Sequence, residues 1–141
     1  GGFPTAEILS VSREVKPAEL PAFGASTEGH RIRRIRRIAG KVAAIEEIWL
    51  DGSYIEKVSA EDLSESLYLY YRTRLGLWIA KAEDHIGLGH VPDWAPDVFG
   101  KKLGEPVPYI LRTSYSHEGA TAEVSHTWYD PDIARYVNRL K

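Results

Sequence analysis

Residues 30–50, HRIRRIRRIAGKVAAIEEIWL, form two runs rich in β-branched and charged residues on either side of a turn-like tripeptide at 39–41. A glycine-containing turn between two such runs is typical of a β-hairpin. A helix is the competing interpretation, because Ile32, Ile35 and Ile38 recur at every third position. The central glycine and the β-branched content favour the hairpin, and the rest of the fold is predicted around it.

The hairpin would place arginines and isoleucines side by side on one face of a sheet. Alternate residues of a strand share a face, so Arg34 and Arg36 would lie between Ile32 and Ile38. A three-residue turn brings Arg34 opposite Glu46, whereas a two-residue turn would shift the register and separate them. The partners predicted with a three-residue turn are Ile32 with Ile48, Arg34 with Glu46, Arg36 with Ala44, Ile38 with Val42 and, on the reverse face, Arg33 with Glu47.

The arginine run allows three interpretations. It could be a solvated, ion-paired sheet face, a pocket for a small anion, or a nucleic-acid patch. An unpaired guanidinium is costly to bury, and one glutamate cannot balance two, so an anionic ligand would supply the missing charge. The net charge of −2 argues against a nucleic-acid module, which usually carries a basic surplus. From the residues alone these alternatives stay open.

The remaining segments predict an α+β fold, in which a central antiparallel β-sheet carries flanking helices. The pattern indicates a loop at 16–29 and a second hairpin whose turn lies at Glu118-Gly119. The predicted strands are 6–15, 77–89 and 109–129 (the second hairpin), and the predicted helices are 59–76, a short one within 92–100, and 130–140.

Composition limits the class of protein. The 141 residues suit one domain, and the chain contains no cysteine, no metal-ligand spacing among its histidines and no apolar stretch long enough to span a membrane. No nucleophile–base pair stands out, so neither an enzyme nor a cofactor or metal site is expected. Because the chain lacks methionine and begins GGFPTAE, we expect a cytoplasmic domain cut from a longer protein.

The chain contains four short motifs whose order and spacing resemble those of the UTRA domain. This domain is the effector-binding half of HutC-type GntR transcription regulators and has the chorismate lyase fold. The motifs are Arg34-Ile35-Arg36, Gly40 followed by Glu46, Ser66-Leu67-Tyr68 followed by Gly76, and Glu123-Val124-Ser125 followed by Tyr129. The resemblance runs from about residue 6 to the end of the chain.

The resemblance implies an effector pocket of seven residues. Arg34, Arg36 and Ser66 would hold an anionic group, and a serine at a helix start suits that role because helix N-termini carry unpaired N–H groups and a partial positive charge. The resemblance further implies that Glu46 and Glu123 bind polar groups of the effector and that Tyr68 and Tyr129 form walls of the pocket. Taken singly, these four residues also fit ordinary surface carboxylates or core aromatics.

The resemblance also predicts how the domain works. Residues 1–141 would be one effector-binding domain that senses a small anionic metabolite such as a phosphosugar or a carboxylate. DNA would be bound only by an N-terminal winged helix-turn-helix domain absent from this chain, and the family pairs as homodimers. The alternative function is a chorismate lyase-like enzyme acting on a small carboxylate.

Overall fold

A computed structural model describes residues 4–63 and 66–140 and shows six antiparallel strands in one sheet. The elements are β1 Thr5–Val15, β2 Glu28–Ile38, β3 Lys41–Asp51, α1 Leu67–Leu75, β4 Ile79–His90, β5 Pro106–Ser116 and β6 Thr121–Tyr129, with 3-10 turns at Ala60–Asp62 and Asp97–Phe99. The strands lie in the order β1-β2-β3-β6-β5-β4, so the β2–β3 hairpin and the β5–β6 hairpin are joined side by side by the central β3–β6 pair. The expected central antiparallel sheet is confirmed.

Most cross-strand pairs of the first hairpin are as predicted, but the turn that produces them is different. Its turn contains two residues, Ala39 at φ 52° and Gly40 at φ 79°, which is the left-handed pair of a type I′ turn. The predicted three-residue turn and the Ile38–Val42 pair are therefore wrong, because Ile38 pairs with Lys41. A bulge at Ala43 then adds one residue to β3 and restores the register from Arg36 inward. The other predicted pairs are Arg36 with Ala44, Arg34 with Glu46, Arg33 with Glu47 and Ile32 with Ile48, and all are present.

Helix α1 covers one face of the sheet. Ser66 is its N-cap, and Gly76, at φ 64°, ends it in the left-handed conformation that favours glycine. Leu67, Tyr70 and Tyr71 are buried against the sheet, where they join one core cluster with Ile32, Ile48 and Leu50. Burial of such side chains contributes roughly 1.5–3 kcal/mol each, which fixes the start of α1 above the middle strands.

Two irregular segments cover the reverse face. The segment between β4 and β5 packs Phe99 against Ile35, Ile45 and Trp128. The loop between β1 and β2 packs Leu20 and Phe23 against Trp49 and Val124. Both faces of the central strands are thus covered, while β4 forms one edge of the sheet.

Two predicted helices are corrected by the structure. The helix predicted at 59–76 begins only at Leu67; residues 60–62 form a single 3-10 turn, and residues 64 and 65 lie outside the described residues. The predicted helix at 130–140 is wrong, because the chain makes one turn at 131–133 and then runs on without regular structure. Apolar side chains of this segment are not packed against the core, since Val137 and Leu140 are 61% and 95% exposed.

Candidate functional site

The floor of the candidate site is set by the register of four neighbouring strands. Residues directly opposite each other in an antiparallel pair lie on the same face, so the pairings place side chains in rows across β2, β3, β6 and β5. The rows on the α1 side are Arg34–Glu46–Thr127, Ile48–Ser125–Arg112 and Leu50–Glu123–Ser114. The sheet therefore brings basic, acidic and hydroxyl groups together under the start of α1.

These side chains and the start of α1 line a cavity of about 290 Å³. Small-molecule pockets in proteins begin at about 300 Å³, so the cavity suits a metabolite of modest size. Its charged lining residues are Arg34, Arg36, Arg112, Glu46 and Glu123, and its hydroxyl-bearing ones are Ser66, Tyr68 and Ser125.

Arg34 and Arg36 both contact the Glu46 carboxylate at one end of the cavity, which we call the first end. Arg34 Nε donates to Glu46 Oε1 at 2.6 Å, and Arg36 Nη1 lies 3.9 Å from the same oxygen. Thr127 Oγ1 donates to the second carboxylate oxygen at 3.1 Å. The Arg34 side chain is only 8% exposed, whereas that of Arg36 is 30% exposed. Glu46 is thus contacted by both arginines and by Thr127 at this end of the cavity.

Ser66, the N-cap of α1, lines the cavity. Its hydroxyl accepts a hydrogen bond from the backbone N–H of Leu69 at 3.2 Å, which is the usual bond of a serine N-cap. Its backbone is extended and its side chain is exposed, and Ser66 and Leu67 both line the cavity. A helix start in this position favours negative charge beside it.

A buried carboxyl group, Glu123, lies deeper in the cavity. The Tyr71 hydroxyl donates to Glu123 Oε2, and Ser114 Oγ donates to Oε1 at 3.3 Å. Tyr68 OH and Ser114 Oγ are 2.6 Å apart, so the bonds form a continuous chain from the cavity wall to the carboxyl group. Burial raises the pKa of Glu123, and although Tyr71 and Arg34 oppose that effect, the net direction is upward. Burial likewise raises the pKa of Tyr71 well above its ordinary value.

Comparison with known proteins identifies the family. The UTRA domain family matches residues 1–135 of the chain. The chain belongs to this family. It is 68% identical over 141 residues to the HTH-type transcriptional regulator SmoD of Agrobacterium fabrum, covering 100% of this chain and 60% of SmoD. It is 31% identical over 129 residues to the HTH-type transcriptional regulator Rv0792c of Mycobacterium tuberculosis, covering 88% of this chain and 48% of that protein.

The fold of this UTRA domain also matches a solved structure. The ligand-binding domain of a Bordetella bronchiseptica protein assigned to the GntR family of transcriptional regulators superposes with a TM-score of 0.83 at 23% identity, covering 100% of this chain and 91% of that one. The UTRA domain spans about half to three-fifths of the curated relatives it matches. Those relatives are named as transcriptional regulators rather than as enzymes.

Six of the seven residues predicted for the effector pocket line the cavity of this UTRA domain. The exception is Tyr129, which lies on the same face of β6 but lines a neighbouring cavity together with Arg36 and Thr127. The two cavities adjoin at Arg36, which lines both. The six that line the first cavity are Arg34, Arg36, Glu46, Ser66, Tyr68 and Glu123.

Two polar residues of the cavity, Arg112 and Ser125, were not among the predicted site residues, although Ser125 belongs to the Glu123-Val124-Ser125 motif. A signal for both was present in the second hairpin, because a two-residue turn at Glu118-Gly119 predicts residue 112 opposite residue 125. The structure has this pair, but next to the turn Tyr115 pairs with Thr121, and one extra residue, Ala122, sets the register of the pairs beyond it. Extending the cross-strand argument from the first hairpin to the second would have put both side chains beside Glu123.

The other arginines of the basic run have carboxylate partners outside the cavity. Arg37 Nη1 lies 2.5 Å from Glu7 Oε1, and Arg33 Nε donates to Glu47 at 3.0 Å. Arg31 Nε is 4.0 Å from the same Glu47 carboxylate. Arg33 and Glu47 are largely buried, at 23% and 15% exposure. The run therefore splits between a cavity side and a reverse side on which its arginines pair with Glu7 and Glu47.

Two other features are absent from residues 4–63 and 66–140. No cluster of three or more acidic or histidine side chains in these ranges has a metal-binding arrangement. None of the helices in these ranges has the length and apolar character needed to cross a bilayer.

Proposed function

We propose that this UTRA domain binds a small anionic metabolite in the cavity between the start of α1 and the sheet. The observation that carries the proposal is the convergence of Arg34, Arg36 and the Ser66 helix start on one cavity, with Glu46 as the carboxylate that the two guanidiniums share. Forked hydrogen bonds from guanidinium groups and N–H groups of a helix start are the usual means of binding carboxylate or phosphate. The anion would occupy this end of the cavity.

The acidic groups of the cavity support a ligand that also carries hydroxyl groups. Glu46 and Glu123 are acceptors next to the arginines, and the raised pKa of Glu123 means that it can be protonated and donate as well. A phosphosugar or a hydroxylated carboxylate matches this set of donors and acceptors better than a plain fatty acid.

At the level of the whole protein, we propose a bacterial, cytoplasmic transcription regulator. The domain would change the way that a separate N-terminal winged helix-turn-helix domain is held on DNA, and the fold would be the α+β, chorismate lyase-like arrangement with flanking helices. Support comes from the HTH-type relatives, of which the chain spans only part. Such coupling requires the effector to bind two states of the protein with different affinity.

The segment from the end of β3 to Ser66 is the proposed switch. Arg13 on β1 donates to the carbonyl oxygens of Gly52, Ile55 and Glu56 at 3.1–3.2 Å, so it ties the beginning of this segment to the first strand. A ligand that contacts Ser66 would act on the other end of the same segment. A change at the cavity would thereby reach β1, the strand nearest to the start of the chain.

We also propose that two copies pair through β4. This strand forms an edge of the sheet, runs for 12 residues and exposes Ile86 and Leu88 at 51% and 70%. A long edge strand with exposed apolar side chains is a template for pairing with a second chain. Leu88→Lys should yield monomers in sedimentation velocity, whereas Val15→Lys, which is equally exposed on the opposite edge, should not. A monomeric parent chain, or dissociation by Val15→Lys alone, would contradict this interface.

The binding proposal is tested by thermal-shift screening against phosphosugars and carboxylates, followed by calorimetry. A ligand at a hundred times its Kd adds about 2.7 kcal/mol of stability, which is readily detected. Arg36→Ala should weaken binding by about 10- to 150-fold, since a hydrogen bond to a charged group contributes about 1.5–3 kcal/mol. Arg37→Ala is the matched control, because that arginine has the same 30% exposure but pairs with Glu7. Equal effects of the two substitutions would refute the proposed site.

Arg34→Ala should also abolish binding, but it removes the partner of Glu46, whose side chain is only 13% exposed. Its folding must therefore be checked by circular dichroism before a loss of binding is attributed to the site.

A further inference from the structure

Arg112 is a third arginine of the cavity, and the motifs that identify the family do not include it. It lines the same space as Arg34 and Ser66 but projects from β5, at the other side of the floor. Measured across the strands, it is three strand spacings from Arg34, or about 14 Å at the backbone, and it lies one row further along the sheet. The two arginines thus enter the cavity from opposite sides of its floor, so a ligand that spans the cavity can present a different polar group to each.

Asp84 on β4 fixes the orientation of the Arg112 guanidinium. Arg112 Nε and Nη2 donate to the two Asp84 carboxylate oxygens at 2.7 and 2.9 Å. Tyr136, from the segment after β6, donates its hydroxyl to Asp84 Oδ2 at 3.0 Å. Such a two-bond pair fixes orientation as well as position. The Asp84 side chain is 11% exposed and that of Arg112 is 41% exposed, so the carboxylate is covered while the guanidinium faces the cavity.

The pairing leaves donors directed away from Asp84. A guanidinium carries five N–H donors, and two of them are used in the pair with the carboxylate. Tyr68, the cavity tyrosine of α1, interacts with the same guanidinium. The Arg112 end of the cavity thus offers oriented N–H groups beside a phenol.

The two ends of the cavity present arginines in different settings. At the first end, Arg34 and Arg36 both lie beside the Glu46 carboxylate. At the second end, Arg112 and Asp84 form a neutral one-to-one pair. A second anionic group on the ligand would gain little there, because it would meet the negative charge of Asp84 together with the guanidinium. A neutral oxygen would accept hydrogen bonds without that repulsion.

We infer that Arg112 determines specificity by donating to a neutral hydroxyl or carbonyl oxygen at the end of the effector remote from its acid group. Asp84 is the positioning residue, since it orients Arg112 and cancels its charge. The inference rests on the proposed function of the cavity. It narrows the effector class to hydroxylated molecules with one ionised end, and it disfavours diacids of the same length.

The experiment uses pairs of probes that differ only at the far end. Gluconate and glucarate form one pair, sorbitol 6-phosphate and 6-phosphogluconate form another, and inorganic phosphate probes the anion end alone. Calorimetry and thermal shift on the full 141-residue chain give the Kd of each probe for the parent, Arg112→Gln, Arg112→Lys and Asp84→Asn. Circular dichroism melts identify any variant that fails to fold.

The parent should bind the single-acid member of a pair more tightly than the diacid. Arg112→Gln should weaken that member by about tenfold, the effect of about 1.4 kcal/mol, while the Kd for inorganic phosphate changes less than about twofold. Arg112→Lys should recover little, because a lysine lacks the planar fork. Asp84→Asn should shift the preference within each pair towards the diacid, which a merely structural role of Asp84 would not do.

Three results would overturn the inference: an equal loss for inorganic phosphate and the longer probe, no loss in Arg112→Gln, or an unchanged preference in Asp84→Asn. Binding that Arg36→Ala abolishes and Arg112→Gln spares would overturn this inference alone and leave the proposed function intact. If neither inorganic phosphate nor any probe raises the melting temperature of the parent chain, the proposed anion site itself is refuted.

Discussion

Replacing Glu123 with glutamine should change the dependence of stability on pH. Glu123 is 3% exposed, and burial raises its pKa in the folded protein above the ordinary value of 4.5. Glutamine has nearly the same shape and is neutral at every pH. Its amide oxygen can accept from the Tyr71 hydroxyl and its amide nitrogen can donate to Ser114 Oγ, so the variant keeps both partners of the carboxyl group.

The direction of the effect follows from proton linkage. Between 4.5 and the raised pKa, the folded state holds a proton at Glu123 that the unfolded state has lost, so stability falls as pH rises. The stability that Glu123 contributes is fully present below the unfolded pKa and is lost as pH rises through the folded pKa. Each pH unit of that window costs about 1.4 kcal/mol. For a domain of this size the loss corresponds to roughly 5 °C in melting temperature per pH unit, taking about 4 °C per kcal/mol.

The assay is thermal unfolding of the parent and of Glu123→Gln from pH 4 to pH 8, with Glu118→Gln in the exposed turn as the control. The melting temperature of Glu123→Gln relative to the parent should rise with pH above about 4.5 and then level off. The control should follow the parent throughout. A constant difference would mean that folding does not shift the pKa of Glu123, and a parent that gains on Glu123→Gln as pH rises would mean that Glu123 is stabilised as a carboxylate. Either result would refute the reasoning.

Three further substitutions test other features of the fold by chemical or thermal denaturation. Asp51→Asn should cost about 3–5 kcal/mol at neutral pH, because Asp51 is 1% exposed and pairs with Lys16 Nζ at 2.6 Å. Burial alone would raise the pKa of Asp51, but Lys16 and other donors lower it, so the difference from the parent should disappear only as pH falls through that lowered pKa. Ala39→Asn should raise stability by up to about 1 kcal/mol, since the residue has φ 52° and asparagine before Gly40 suits a type I′ turn. Gly76→Ala should cost about 1–2 kcal/mol from backbone strain alone, because φ is 64° and nothing lies within 4 Å of the added carbon.

Most of the cavity could be predicted from the sequence because it lies on regular strands. Alternation was enough to place Arg34 and Arg36 on a common face, and the serine motif was enough to place Ser66 at a helix start. The pairing with Glu46 was predicted from a three-residue turn, whereas the structure reaches it through a two-residue turn and the bulge at Ala43. Arg112 joins the same floor only because β3 pairs with β6, which brings the two hairpins side by side. Pairing between strands distant in sequence is not encoded in the local pattern.

The predicted C-terminal helix failed because its local signals had no tertiary support. Asp130 behaves as a helix start, since its carboxylate accepts from the Asp132 N–H at 2.9 Å and its carbonyl accepts from the Ala134 N–H at 2.9 Å. After that single turn the segment leaves the helical path, and Tyr136 bonds to Asp84 instead. Short helices are marginal without an apolar face to bury. The cap at Asp130 therefore stabilises one turn only, and without a core to pack against the segment does not form the predicted helix.

A single extra residue in β3 decides which carboxylate faces the arginines. Next to the turn, Ile38 pairs with Lys41 and Arg37 with Val42. A regular continuation of these pairs would put Ile45 opposite Arg34, and Glu46 would point to the reverse face. The bulge at Ala43 prevents this, and the Ala43 carbonyl accepts the Asp130 N–H at 2.8 Å, in register with the β3–β6 pairs. Without that one residue, Arg34 would lose its partner and a buried isoleucine would leave the reverse core, so the packing of both faces of the sheet and the charge of the cavity depend on the same irregularity.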